Sequence, residues 1–150
     1  MTDIAFYHLQ RSPLERVLPK LLERTLDGGK RALVLVGSDA RAEALAEHLW
    51  TYDPGAWLPH GTEKDGDPSD QPVRLGTRDE NLNQADFLFL ADGAVSEHVE
   101  AYERCFEMFD GNDETIVTAA RDRWATYKSA GHNLTYWQQT DRGGWEKKAS

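Results

Sequence analysis

The sequence predicts an α/β fold: one domain of three layers, an open and mostly parallel sheet with helices on both faces. Three observations carry that prediction. Ala32 to Val36 (ALVLV) and Phe87 to Leu90 (FLFL) are unbroken apolar runs, the pattern of parallel strands covered on both sides. Strand-like and helix-like segments alternate through the first third of the chain, which is the opening of an α/β sheet. A length of 150 residues suits a single core.

Ile4 to Leu9 (IAFYHL) reads as a first buried strand. A helix follows. Ser12 as N-cap, Pro13 in the first turn and Glu15 three residues after the cap form a capping box; Leu14, Val17, Leu18, Leu21, Leu22 and Leu26 make its apolar stripe. Pro19 inside that stripe predicts a bend or a late start, and Gly28 and Gly29 end the helix. After ALVLV a second helix runs from about Asp39 to Trp50, capped by Ser38 or Asp39, with Ala42, Leu45, Ala46, Leu49 and Trp50 facing inward. The period is then lost. Thr51 to Gly61 is rich in Pro, Gly and aromatics, and residues 61–72 (GTEKDGDPSDQP) form an acidic segment expected to be a mobile loop. Val73 to Leu75 is a candidate edge strand, Ser96 or its neighbours cap a short helix through Tyr102, and Phe106 to Phe109 is a further strand. LTYWQQ and WEKK flank the turn-rich TDRGG, which predicts a C-terminal hairpin over about 133–148.

Charge excludes some partners. The net charge is −9, which disfavours broad contact with a phosphate backbone. Residues 1–118 hold 11 Lys+Arg against 23 Asp+Glu, a net −12, whereas residues 119–150 hold 6 against 3, a net +3. A basic end on an acidic body attracts an acidic partner locally, so contact with DNA is expected to be indirect. The single cysteine, Cys105, lies among apolar residues and cannot support a disulfide framework. With neither an apolar run of membrane-spanning length nor a basic-then-apolar leader, the expectation is a soluble, cytoplasmic protein.

Catalytic chemistry finds little support. Gly37 is the only glycine in the turn after ALVLV, so the layout is Rossmann-like without the dinucleotide fingerprint. Gly29 and Lys30 resemble the end of a phosphate-binding loop, yet Arg31 stands where Ser or Thr should follow and Arg24 where the first Gly should be. Asp92 ends its strand as magnesium-binding carboxylates do, and equally as turn-forming Asp residues do. His8, His48, His60, His98 and His132 show no metal-site spacing, and no nucleophile elbow is present. No cofactor, metal or catalytic residue is expected. A nucleotide-binding enzyme or switch with a degenerate phosphate site near Gly37 and Asp92 is the alternative.

Two stretches suit docking. Asp113 to Gln139 opens with a helix capped by Asn112 or Asp113 and ended by Gly131. At helical spacing, Ile116, Ala120, Trp124 and Tyr127 make an apolar stripe, and Val117, Arg121, Trp124 and Lys128 a mixed line beside it. An apolar floor, a ring and two cations suit a peptide with a hydrophobic end and negative charge; the same pattern also fits a solvated helix face. Trp50, Tyr52 and Trp57 form a second cluster, which either serves a partner or folds back to close the core.

Taken together, LWTYDPGAWLPHG (Leu49 to Gly61), GGKRALVLV and ARDRWATYKSAGHNLTYWQQ (Ala119 to Gln139) resemble the chi subunit of bacterial DNA polymerase III holoenzyme, in order along nearly the whole chain. The resemblance implies a single-domain α/β accessory subunit with no catalytic site of its own. It would link the clamp-loader assembly to single-stranded DNA-binding protein during replication. It implies that Val117, Arg121, Trp124 and Lys128 hold the acidic, hydrophobic-ended C-terminal tail of that protein. It also implies that Trp50, Trp57, Pro59 and His60 face the small subunit psi or another clamp-loader component. Some chi proteins carry a Lys just after the ring and a further basic residue near Val117; Ala125 and Val117 stand here, which implies a weaker and less salt-sensitive tail site.

Overall fold

The computed structural model describes residues 2–149 other than 54, 56 and 57. Seven strands form one sheet: β1 (Asp3–Leu9), β2 (Ala32–Leu35), β3 (Val73–Gly76), β4 (Phe87–Leu90), β5 (Arg104–Asp110), β6 (Asn133–Gln139) and β7 (Trp145–Ala149). Their order is β3-β2-β4-β5-β1-β6-β7, and every pairing is parallel except that of β7 with β6. The expected edge strand and C-terminal hairpin occupy the two ends of this order.

Three helices cover the sheet: α1 (Leu14–Asp27), α2 (Asp39–Thr51) and α3 (Glu114–Ser129). Because side chains alternate along a strand, β1 sends Ala5, Tyr7 and Leu9 to one core with α1 and α2, and Ile4 and Phe6 to another with α3. The chain leaves β1 for the α1 face and leaves the neighbouring β5 for the α3 face. A crevice therefore opens between the C-terminal ends of β1 and β5, where open α/β sheets commonly bind ligands.

Several details differ from the sequence expectations. The N-cap of α1 is Pro13, with no side-chain capping bond; the Ser12 hydroxyl instead accepts from Gln139 Nε2 (3.1 Å), and Glu15 pairs with Arg41 (2.5 Å). Long-range partners outcompete the local capping box. Pro19 does not delay α1: the helix is continuous from Leu14, and Pro19 is buried within it. A proline has no N–H for the carbonyl four residues back, and that carbonyl, Glu15 O, lies 2.7 Å from His48 Nε2 of α2. The predicted helix ending at Tyr102 is only a 3₁₀ turn, Val99–Ala101. Trp50 does not face inward but is 55% exposed. On α3 the stripe is rotated: Val117 and Ala120 are buried, whereas Ile116 is exposed.

Strand β5 runs from Arg104 to Asp110, longer than the apolar run at its centre, and that run contains a buried carboxyl. Glu107 is 2% exposed and accepts from Arg123 Nε (2.9 Å) and the Tyr127 hydroxyl (3.0 Å), both on α3. Burial pushes its carboxyl above the usual range, and Arg123 partly offsets this. Cys105, two residues earlier, is buried among apolar groups with its thiol pushed well up by desolvation.

Candidate functional site

The mixed line on α3 is a single strip. Asp113 caps the helix by accepting from the N–H groups of Thr115 and Ile116, and Gly131, at φ 87°, ends it. At 3.6 residues per turn, positions 117, 121, 124 and 128 fall within roughly 60° of arc. Their exposure grades across that strip. Val117 is 9% exposed, Trp124 is half-buried, and Arg121 and Lys128 lie in solvent with no ion pair among the described residues. The strip thus follows the seam where α3 meets β6.

Aromatic packing fixes the ring in this seam. Trp124 meets Phe6 edge-on at 5.3 Å and Tyr136 at 5.8 Å, and Phe6 stacks on Tyr136 at 6.2 Å. Sequence reading missed two residues here, His8 and Tyr136. His8 Nδ1 lies 2.7 Å from the Tyr136 hydroxyl, and both groups feel the charge of Arg121. Burial lowers the His8 pKa, with Arg121 adding to the effect, so the imidazole favours its neutral form; burial likewise raises Tyr136. The other side of the His8 ring faces Gly111, where an added Cβ would lie 2.1 Å from Nε2. The parallel pairing of Phe6 with Tyr136 could have been suspected from the alternation shared by IAFYHL and NLTYWQ.

The second candidate surface divides. Trp50 lies at the end of α2, its ring 4.2 Å from that of His60. His60 is 8% exposed beneath it, with Nδ1 2.7 Å from Leu58 O and Nε2 2.7 Å from Ala46 O. It holds the returning chain against α2, and Pro59 beside it is half-buried. Tyr52 folds back, donating to Glu23 of α1 at 2.5 Å. Trp57 lies outside the described residues.

The crevice at the strand ends has a volume of about 440 Å³ and is lined by the β1–α1 turn, Arg41, Asp92 and Asp110. Arg41 spans it, bonding Asp92 Oδ2 (2.8 Å) and Glu15. The Asp92 carboxylate is therefore engaged by a cation, and Gly37 packs near the Asp92 carbonyl. Among the described residues no group of His, Cys, Asp and Glu is placed to hold a metal ion, and no helix is long and apolar enough to cross a membrane.

Comparison with known proteins agrees with this architecture. A sequence model of the family described as DNA polymerase III chi subunit, HolC, matches residues 1–135. The chain is 23% identical over 117 residues to the "Probable DNA polymerase III subunit chi" of Rickettsia prowazekii, covering 73% of this chain and 71% of that protein. It is 26% identical over 125 residues to the DNA polymerase III subunit chi of Haemophilus influenzae, covering 81% and 85%. With most of its length matched in one span, the chain belongs to the DNA polymerase III chi subunit family.

Proposed function

We propose that this chain is a cytoplasmic replication adaptor without a catalytic site of its own, joining the clamp-loader assembly to single-stranded DNA-binding protein. One observation carries the reading: two cations with no ion pair among the described residues, Arg121 and Lys128, flank the half-buried Trp124 on one seam of an otherwise acidic molecule. A peptide with an acidic stretch and an apolar C-terminus fits such a seam. Arg121 meets carboxylates, Trp124 and the edge of Val117 flank the apolar end, and Lys128 adds longer-range attraction. The end of α2, with exposed Trp50 over His60 and with Pro59 alongside, is the surface we assign to psi or another clamp-loader component.

Calorimetric titration of an acidic, hydrophobic-ended tail peptide tests the first surface. Charge-assisted hydrogen bonds contribute about 1.5–3 kcal/mol, so Arg121→Ala is expected to weaken binding by at least tenfold while the melting temperature holds. Unchanged affinity in that variant removes the α3 seam from the proposal.

A further inference from the structure

A second basic surface lies on the opposite face of the sheet, its floor shared by β1 and by residues beyond the family match. The hairpin of β6 and β7 extends the sheet past α1, leaving a cleft of about 340 Å³ between helix and hairpin. One wall is α1, which presents Arg16, Lys20 and Arg24 one turn apart, about 6 Å each, all exposed and none in an ion pair among the described residues. The floor is aromatic. Tyr7, Trp137 and Trp145 line it, with Tyr7 edge-on to Trp145 at 5.0 Å. Lys147 pairs with Trp137 across the hairpin and so projects from the same face. Among the described residues no carboxylate lines the cleft.

We infer that this groove binds single-stranded nucleic acid, the α1 cations tracking its phosphates while bases stack on the hairpin indoles. Evenly spaced charge beside a row of flat rings matches a polymer that repeats one anion and one planar base per unit. An acidic peptide would satisfy the cations and leave the rings without stacking partners. The net charge of −9 disfavours broad contact with a phosphate backbone, so attraction is confined to the cleft, where the cations form no ion pair among the described residues. The family match covers residues 1–135, so α1 and Tyr7 lie within it while Trp137 and Trp145 lie beyond it.

Fluorescence anisotropy of a labelled oligothymidylate with the full chain, from low to moderate salt, tests the inference. Engagement of three or four cations predicts a log–log salt slope of about −2 to −3. Binding is expected to quench tryptophan fluorescence, and the pair Arg16→Glu, Lys20→Glu to lose at least tenfold in affinity with an unchanged melt. Lys148→Glu, whose lysine pairs with Glu146 on the strand's other face, is expected to bind as the parent does. The inference is overturned by absence of binding at low salt, by charge reversal on α1 having no effect, or by a polyglutamate peptide occupying the groove more tightly than the oligonucleotide.

Discussion

Gln139 joins three parts of the molecule, and its replacement is the sharpest test of how the C-terminal hairpin is held. Its Oε1 accepts from the backbone N–H groups of Gln10 (3.2 Å), Arg11 (2.8 Å) and Ser12 (3.0 Å), while Nε2 donates to Ser12 Oγ and Gly143 O. The β1–α1 turn lacks a side-chain cap of its own, so this buried amide from β6 satisfies it instead. Gln139→Leu keeps the volume and removes the acceptor. Each hydrogen bond contributes about 1 kcal/mol net; the exposed Arg11 N–H can turn to water, whereas those of Gln10 and Ser12 are partly enclosed. Two stranded donors and the two lost amide bonds make the expected loss about 4 kcal/mol. For a domain of this size that lowers the melting temperature by roughly 8–16 °C. Gln139→Glu retains an acceptor for all three N–H groups and is expected to lose less. Thermal and urea unfolding measure both; a Leu variant melting within a degree of the parent refutes the inferred role of the side chain.

Two further outcomes follow from buried polar groups. His48→Ala is expected to destabilise by about 1 kcal/mol, and by clearly less in a Pro19→Ala background, where residue 19 regains an N–H for Glu15 O; strict additivity in that cycle contradicts the account. Burial raises the folded pKa of Glu107 above its ordinary value of 4.5, so its protonated form is the one favoured by folding. Its contribution is complete below pH 4.5 and is lost as pH rises through the folded pKa. The stability of Glu107→Gln relative to the parent should therefore climb across that window and then level, as read by urea unfolding at successive pH values. A flat or falling difference means that Arg123 outweighs burial.

The sequence by itself determined the fold class, because that information is local and periodic. ALVLV and FLFL are too short for helices and read as strands buried on both faces, the α1 leucines recur at helical spacing, and TDRGG between two aromatic strands closes as a hairpin. Along α3 the spacing of Arg121, Trp124 and Lys128 was also legible, since one helix fixes their relative angles. Tertiary structure decided everything that needed a partner far along the chain. Whether Val117 or Ile116 turns inward depends on how the aromatic floor of β1 and β6 meets α3, and Trp50 is lifted to the surface because His60, ten residues on, fills the space below it. The same holds for Ser12 and Glu15: local rules assigned them a capping box, and Gln139 and Arg41, distant in the chain, partner them instead. The basic groove is the extreme case. Its helix and its hairpin are separated by most of the chain, and only the sheet order, which sets β6 beside β1, brings cations and indoles together.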